Sequence, residues 1–497
     1  MSLPTPRSTL PPGAPAAAAA ASTARGPGLR RWLRLRPDGT GWIWGAAALL
    51  FAAYAALSVR DQQRMLTTGF DLGIFEQAVR SYAHGQLPVS ALKGPGFPLL
   101  GDHFSPIVAV LAPFYRLWPT PMTLLVAQAA LLAVAVVPLA RWAQRVAGRG
   151  AALVVAFGYG GSWGIASAVG FDFHEVAFAV PLLAFALTAL AERRMRAAAL
   201  WALPLLLVKE DLGLTVAAVG ALIAWYGHRR LGLATAAAGV LGTMLEVLVV
   251  IPAFSPGGHY TYWSSMSGSG SGGAPARHGL GELLYRLSVG MVTPDTKVVT
   301  LVLLLAPTAF LAVRSPLLWV AFPTLAWRFF STSPAYWGTG YQYSAVLMPI
   351  VFAALVDALG RRPGSARSVR PQLVAAALVT AALLPQYPLF QLAHPATWQT
   401  SPRIAAARRI LDRIPDGTDV AATNRLVPQL TSRTTVTEFG VPGQPTPADT
   451  RWIVVDTATA HDWPFSGGQQ RQDIAAAQAQ GFRTVVDQDG YLLLHRS

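Results

Sequence analysis

The chain has 497 residues, of which 53% are hydrophobic and only 13% are charged, and its mean hydropathy is +0.40. Soluble domains carry about a quarter charged residues, so this composition excludes a soluble protein and indicates a chain embedded in lipid. The absence of cysteine from the sequence excludes disulfides, thiolate metal sites and cysteine nucleophiles.

Residues 1–40 are predicted to form a disordered, basic N-terminus in the cytoplasm. The stretch up to about Gly28 is rich in Pro, Ala and Ser and has no hydrophobic face. It is not typical of a signal peptide, because no short apolar region with a cleavage site follows it. Basic residues between Arg30 and Arg36 then precede the first long apolar run.

Residues 41–390 are predicted to form a transmembrane domain of about 11 helices, because a helix needs roughly 20 apolar residues to cross the bilayer core. Lys209, Glu210 and Asp211 separate two short candidate spans, so one broken helix is an alternative for that pair. The candidate spans are 42–59, 121–141, 151–169, 175–191, 197–208, 212–227, 231–252, 298–313, 316–330, 343–360 and 372–390.

The arginines predict the orientation of these spans in the cell membrane. With a cytoplasmic N-terminus, every predicted inner loop is basic and nearly free of acid, as the positive-inside rule requires. Loops 60–120 and 253–297 and the tail, residues 391–497, then lie outside. The net charge of +15 is therefore largely topological, and no nucleic-acid partner is expected.

The tail is predicted to form a small extracytoplasmic α/β domain. About 100 residues suffice for one modest core. Short β-rich runs alternate there with helical segments, at 404–414, 419–423, 451–456, 469–480, 483–487 and 491–495. The predicted fold is therefore an α-helical polytopic membrane protein with a small C-terminal α/β domain.

The first outer loop is predicted to hold an amphipathic helix that lies along the membrane surface. Apolar residues recur at helical spacing between Leu72 and Tyr82. Asp71 is positioned to cap this helix, and Gly85 is positioned to end it. A structural role as a cap is therefore one interpretation of Asp71.

Five polar clusters lie on the predicted outer face. Charged groups near lipid cost several kcal/mol unless they are paired or solvated, so their convergence on one face indicates a cavity. The clusters are residues 69–77, 101–106, 171–175, 209–211 and 341–343, with His259 and Tyr260 as companions of the last.

These clusters predict chemistry on a hydroxyl and a phosphate. Asp71 or Asp102 is the candidate catalytic base that takes a proton from a hydroxyl nucleophile. Lys209, His103 or His174 would stabilise a phosphate leaving group. The candidate substrate-binding residues are His103, Asp172, His174, Glu175, Lys209, Glu210 and Tyr343.

Structural alternatives stand beside these roles. Asp172 and Glu175, on one helix face, could simply start the next span. Lys209 and Asp211 could form a structural ion pair, and His103 could be an ordinary hydrogen-bonded loop residue.

A bound divalent metal ion is a further alternative, and no other cofactor is expected. Asp71, Asp102, His103, His174 and Glu175 are suitable ligand types. None of them shows a diagnostic metal-binding spacing, so the metal remains unknown.

Several of these motifs resemble a bacterial membrane family known as domain of unknown function 2079, from about residue 45 to the C-terminus. Gln342 stands where that family is expected to have a histidine, so the resemblance implies no catalytic histidine at this position. The motifs are Phe70–Gln77, Gly101–Pro106, His174-Glu175, Lys209–Asp211, Tyr343–Pro349 and, in the tail, Ala421-Ala-Thr-Asn424 through Arg433.

That family is similar in layout to the C superfamily of glycosyltransferases, which take sugars from polyprenyl-phosphate donors. The resemblance implies a glycosyltransferase-like membrane enzyme whose first-loop acid is Asp71 by position, with Asp102 as the alternative. It implies a polyprenyl-phosphate lipid or lipid-linked sugar as partner, besides membrane lipids.

Two other function classes remain open. A transporter or flippase would use the charges at Lys209–Asp211 and Glu246 along a pathway, although no internal repeat is visible. A non-catalytic membrane scaffold would bind a partner through its tail, and it would need no clustered carboxylates in the first outer loop.

We predict that the tail and the inner loops lie on opposite sides of the membrane. A reporter fused at Ser365 should give a cytoplasmic signal, and one fused at Ser497 should give an extracytoplasmic signal, because the arginines follow this arrangement. A cytoplasmic signal at Ser497 would contradict the eleven-span scheme.

Overall fold

The computed structural model describes residues 39–262, 280–361, 370–441, 444–458 and 467–497. Contact clustering separates Met1–Gly41 from Trp42–Ser497. The stretch of predicted disorder in the first unit, up to about Gly28, lies outside the described residues. The elements and side chains of interest belong to the second unit.

Helices form most of the described chain, as the apolar runs predict. Several continue into 3-10 turns at prolines, which lack the N–H that an α-helix needs. The α-helices are Gly41–Gln63, Ile74–Ala83, Ala112–Leu117, Met122–Val134, Val136–Gly160, Trp163–Val169, Val176–Ala191, Met195–Ala202, Leu212–Trp225, Arg229–Leu245, Ile251–Phe254, Leu280–Leu287, Asp295–Leu305, Phe322–Phe330, Leu347–Gly360, Arg370–Leu383, Pro395–Trp398, Pro402–Leu411 and Gly467–Ala479.

Three of the described helices are long and apolar enough to cross a membrane. They are Gly41–Gln63 with 23 residues, Met122–Gly160 with 39 and Arg229–Phe254 with 26. Each of the last two joins consecutive α-helices given above. The longest breaks at Gly148, whose φ of 82° lies outside helical geometry, and it contains parts of two predicted spans. Shorter apolar helices of 10–17 residues occupy several other predicted spans, so the count of eleven crossings stays a prediction.

The tail contains a five-stranded sheet. With β1 (Val89–Ser90) and β2 (Phe97–Pro98) paired in the first outer loop, the order in the tail is β4-β3-β5-β7-β6. Strands β4, β3 and β5 run parallel, whereas β7 pairs antiparallel with β5 and β6. The strands are β3 (Asp419–Ala422), β4 (Thr435–Glu438), β5 (Trp452–Asp456), β6 (Arg483–Gln488) and β7 (Tyr491–His495).

One face of this sheet packs on the first outer loop. Apolar side chains of both regions form a single buried cluster that includes Ile74 and Leu92 of the loop and Val427 of the tail. Gly69 and Gly73 permit the close approach, because a Cβ on either would lie 2.7 Å or 3.1 Å from the Val427 side chain. The spacing of these two glycines is therefore explained by docking of the tail.

Polar side chains of the helix Ile74–Ala83 bond to the same part of the tail. The side-chain amide of Gln77 donates to the Val436 carbonyl at 3.0 Å, and Arg80 donates to the Thr431 carbonyl at 2.9 Å. The buried carboxylate of Glu76 accepts a hydrogen bond from the Thr431 hydroxyl. The first-loop helix is thus held against the tail by apolar packing and by hydrogen bonds.

Candidate active site

Asp71 lies inside the first turn of the first-loop helix, so the capping role proposed for it from the sequence is wrong. The helix begins earlier, at a π-helical turn whose N-cap residue is Thr68. Its first backbone N–H groups have other acceptors. The Asp172 carboxylate accepts from Thr68 at 3.0 Å, and Oδ1 of Asn424 accepts from Gly69 at 2.8 Å. The Asp71 carboxylate is therefore not needed for capping.

The Asp71 carboxylate faces His174 instead. Its Oδ1 lies 3.1 Å from Nε2 of His174, which is an ion-pair distance, although the angle is not that of a hydrogen bond. The buried His174 ring stacks on Phe171, and its backbone N–H donates to Gln128. Burial lowers the pKa of His174. The charges of Asp71 and Glu175 together raise this pKa by more than burial lowers it, so the pKa is above its usual value. Asp71 therefore has a neighbour that its own carboxylate makes more basic.

Asp172 lies outside the next helix and supports the Asp71 turn. Its φ of 49° is left-handed, so it does not share a helix face with Glu175, and that structural alternative is wrong for Asp172. Glu175 does start the next helix, because it occupies the N-cap position of Val176–Ala191. Its carboxylate also accepts from the Thr68 hydroxyl at 2.6 Å, and its carbonyl accepts from Gln128 at 2.5 Å. Burial, and next the charge of Asp71, raises the pKa of Asp172 to about 7.

Lys209 pairs with Glu175 rather than with Asp211. Its Nζ lies 3.0 Å from Oε1 of Glu175, and 15% of the Lys209 side chain is exposed. Asp211 occupies the N-cap position of the helix Leu212–Trp225, which corrects the predicted Lys209–Asp211 pair. Burial lowers the pKa of Lys209, but Glu175 and Glu210 raise it well above its usual value. The ammonium group is therefore a stable, partly exposed cation.

Glu210 is a buried acceptor for three donors. One oxygen accepts from Nδ1 of His103 at 2.7 Å and from the Tyr260 hydroxyl at 2.9 Å. The other accepts from the backbone N–H of Phe104 at 3.2 Å. Burial alone would raise the pKa of Glu210, but His103 and Lys209 bring it to about 2. His103 is therefore held in place by a permanent anion.

The negative charge of Asp102 is balanced by its own partners. Its carboxylate lies 3.0 Å from Nζ of Lys93 and accepts from the Tyr262 hydroxyl at 3.2 Å. The Tyr262 ring stacks on His103 at 4.3 Å between centroids. Burial raises the pKa of Asp102. His103 and Lys93 together lower this pKa by more than burial raises it, so the pKa is below its usual value.

Tyr343 belongs to a loop that Arg328 organises. The fully buried guanidinium of Arg328 donates to the carbonyls of Tyr336 and Tyr343 at 2.8 and 3.2 Å, and to the Ser344 hydroxyl at 3.0 Å. The Tyr343 ring packs edge-on against Tyr336. Tyr343 is close enough to Lys209, Asp71 and Glu175 for their charges to act on it.

The structure brings the predicted site residues into one continuous polar network. Asp71 contacts His174, Lys209 contacts Glu175, and His103 contacts Glu210. Neighbours along the chain join these pairs, because Glu175 follows His174 and Glu210 follows Lys209. Asp102 joins the network through the adjacent His103, and Asp172 joins it through Gln128. Within it, carboxylates alternate with cationic side chains.

A small open groove lies at Asp102 and His103, at one end of this network. Asp102, His103 and Ser105 supply its polar lining, and apolar side chains form most of the wall. The wall includes Ile74, Phe75, Ala78, Tyr82, Leu99, Leu100 and Val108. The groove therefore combines charged side chains with an apolar surface.

The described residues do not supply a metal ligand set. Among them, no group of three His, Asp or Glu side chains is close enough to hold one metal ion. Two of the candidate ligands, Asp102 and His103, are already engaged with Lys93 and Glu210. The site is accordingly described through its side chains alone.

Several residues that contribute to the site could not be predicted from the sequence. Lys93, Gln128, Tyr262 and Arg328 are single polar residues far along the chain from their partners, and no local pattern distinguishes them. Asn424 stands in a motif that resembled the family, but its contact with Gly69 joins residues 355 positions apart. Only the family motif offered a signal for it.

Comparisons with known proteins agree with this architecture. Residues 62–493 match the family model described as a predicted membrane protein, DUF2079, which confirms the resemblance inferred from the motifs. The comparison with curated proteins gives no match.

Solved structures of glycosyltransferases with the C-superfamily fold are similar to the chain. ArnT from Cupriavidus metallidurans bound to undecaprenyl phosphate has 14% identity and a TM-score of 0.55, covering 92% of this chain and 98% of that chain. Its apo structure has 13% identity, a TM-score of 0.54 and the same coverage. The oligosaccharyltransferase AglB from Archaeoglobus fulgidus, with an inhibitory peptide and a dolichol-phosphate, has 13% identity and a TM-score of 0.36, covering 84% of this chain and 70% of that chain. The likeness to ArnT shows a shared fold.

We predict that Glu210→Gln destabilises the protein in a pH-dependent way. Because the folded-state pKa of Glu210 is about 2, below the ordinary 4.5, its stabilisation is fully present above about pH 4.5 and is lost as the pH falls towards 2. The free-energy difference from wild type should be about 3 kcal/mol near neutral pH, by linkage. Melting temperatures in detergent, measured between pH 7 and pH 3, should converge as the pH falls.

Glu438→Gln is the matched control for this prediction. Both carboxyl oxygens of Glu438 are buried without a hydrogen-bond partner among the described residues, and burial raises the pKa of Glu438 to about 9. The group is therefore neutral over this pH range, and its amide should have a small, constant effect. A Glu210→Gln difference that is equally constant would contradict the ionised role of Glu210.

Proposed function

The chain belongs to the DUF2079 family of membrane proteins, and we propose that it transfers a sugar from a polyprenyl-phosphate donor to an acceptor hydroxyl at the extracytoplasmic face. Support comes from a fold shared with ArnT, which has been crystallised with undecaprenyl phosphate, and from the polar network around Asp71. The observation that carries the proposal is the position of Asp71 within its motif.

Asp71 is set apart from the other polar residues of the first-loop helix. Glu76, Gln77 and Arg80 all bond to the tail, and Gly69 makes room for it. The Asp71 carboxylate makes no such contact among the described residues; it faces His174 and is 29% exposed. A partly exposed carboxylate is accessible to a bound hydroxyl, whose proton it can accept.

Asp102 is the weaker candidate for the base. Its carboxylate is 14% exposed and is paired with Lys93 at 3.0 Å, and Tyr262 donates to it. These partners hold the pKa of Asp102 below its usual value, which makes it a poorer proton acceptor. We therefore assign the base to Asp71 and a positioning role near His103 to Asp102.

The proposed reaction is a displacement at the anomeric carbon of the donor sugar. The acceptor oxygen forms a bond to that carbon while Asp71 takes the hydroxyl proton. The bond between the carbon and the phosphate oxygen breaks, and the polyprenyl phosphate leaves with the electron pair. No metal ion enters these steps.

Lys209 is the proposed ligand of the leaving phosphate. Its ammonium contacts Glu175, and the Lys209 side chain is partly exposed. An ammonium has three N–H donors, so further N–H groups are available to bind a phosphate. Positive charge directed at a developing phosphate anion is a large contributor to transition-state stabilisation. His174, beside Asp71, is the proposed second positive charge of the same polar network.

Asp71→Asn should abolish most of the transfer activity, because the amide keeps the shape but cannot take a proton. A general base contributes roughly 100- to 10,000-fold. Wild type and variant would be expressed in a strain that lacks the native gene, and envelope glycans and glycolipids would be measured by mass spectrometry. Expression and melting temperature should remain close to those of the wild type.

Asp102→Asn is the matched variant for this experiment. It should lower product formation less than Asp71→Asn does, because Asp102 is assigned a positioning role. If neither substitution changes the glycan or glycolipid products, the enzyme assignment is wrong, and a transporter or a scaffold becomes the better description.

A further inference from the structure

Asn424 of the tail contacts the turn that carries Asp71. Its side-chain Oδ1 accepts hydrogen bonds from the backbone N–H groups of Gly69 and Phe70, at 2.8 and 3.2 Å. Its backbone carbonyl also accepts from Gly69 at 2.9 Å. Gly69 and Phe70 immediately precede Asp71, so Asn424 holds the start of the turn that carries the proposed base.

We propose that Asn424 is a positioning residue for Asp71, through which the tail sets the geometry of the site. This inference rests on the proposed function for its catalytic consequence, whereas the hydrogen bonds themselves do not. It gives the tail a role in the reaction beyond that of a domain that covers the membrane part.

Asn424 is itself held rigidly at the carboxyl end of β3. The preceding residue, Thr423, donates its backbone N–H to Val454, and its hydroxyl accepts from the backbone N–H of Asp456. Both partners belong to β5, so the loop after β3 is tied to the neighbouring strand. A site held by such regular elements is more precisely placed than one held by loops.

The other end of the contact depends on the same few residues. The π-helical turn Gly69–Gly73 begins with N–H groups that lack partners within the helix. Asn424 and Asp172 accept from these groups, so the turn is fixed from the tail on one side and from the membrane part on the other. Without the Asn424 side chain, Phe70 loses this acceptor, Gly69 keeps only the backbone carbonyl of residue 424, and the turn can shift. A shift of about 1 Å in a reacting group can cost roughly 100-fold in rate.

The substitutions Asn424→Ala and Asn424→Asp separate positioning from general stability. Alanine removes the side-chain acceptor and keeps the backbone carbonyl, whereas aspartate also keeps a side-chain oxygen at the same place and is an equally good acceptor at a helix start. We expect Asn424→Ala to lower kcat by roughly 100-fold with little change in the KM for the lipid donor, because Lys209 is untouched. Asn424→Asp should restore most of the activity.

Gln429→Ala is the matched control. The Gln429 side chain also donates from the tail to the first outer loop, to the Gln62 carbonyl at 3.0 Å, and among the described residues no hydrogen bond joins that side chain to the Asp71 turn. A general loosening of the tail would make Gln429→Ala as harmful as Asn424→Ala. We expect Gln429→Ala to retain nearly wild-type kcat.

Hydrogen–deuterium exchange gives a readout that is independent of activity. The amide of Phe70, which donates to the Asn424 side chain, should exchange faster in Asn424→Ala than in wild type, and at nearly the wild-type rate in Asn424→Asp and Gln429→Ala. Unchanged exchange in Asn424→Ala would overturn the proposed contact. If the exchange changes as expected but Asp71→Asn leaves the products unaltered, the proposed function fails while the positioning contact stands. Equal loss of kcat in all three variants would overturn the positioning role.

Discussion

The close approach of the tail to the first outer loop is the constraint on which the site depends. Val427 packs where a Cβ at Gly69 would lie 2.7 Å away, so only glycine lets the two surfaces meet. Once they meet, Glu76, Gln77 and Arg80 are used in docking, and the carboxylate of Asp71 faces His174 instead. Apolar burial and backbone acceptors drive this arrangement, and the chemistry of the candidate active site follows from it.

The second organising feature is the alternation of charge. Placing five carboxylates in the interior of a membrane protein would be prohibitive without partners, because each isolated buried charge costs several kcal/mol. These acids are Asp71, Asp102, Asp172, Glu175 and Glu210. Lys93, Lys209, His103 and His174 each contact one of these acids, at distances between 2.7 and 3.1 Å. Such pairing keeps the network charged and leaves Lys209 and Asp71 partly exposed, which is the property that a phosphate and a hydroxyl would need.

The sequence predicted well what is encoded locally. Apolar runs indicated the helices, alternating β-rich runs indicated four of the five tail strands, and Gly85, with φ of 73°, follows the helix that ends at Ala83.

Prediction from the sequence failed where distant segments meet. The partner of Lys209 is Glu175 and not the neighbouring Asp211, and the cap of the first-loop helix comes from Asn424 and Asp172 and not from Asp71. A local pattern cannot choose between a neighbour in sequence and a neighbour in space. β4 was missed because Thr435–Glu438 has a single aliphatic residue.

The central claim, that this site takes a lipid-linked phosphate, is tested most directly by binding. Undecaprenyl phosphate and undecaprenol would be titrated against the purified protein in detergent, together with a Lys209→Met/Glu175→Gln variant that removes the pair without leaving a buried charge unpaired. The account predicts that wild type prefers the phosphate and that the double variant, with an unchanged melting temperature, loses that preference. Equal binding of phosphate and alcohol by the wild-type protein would contradict the account.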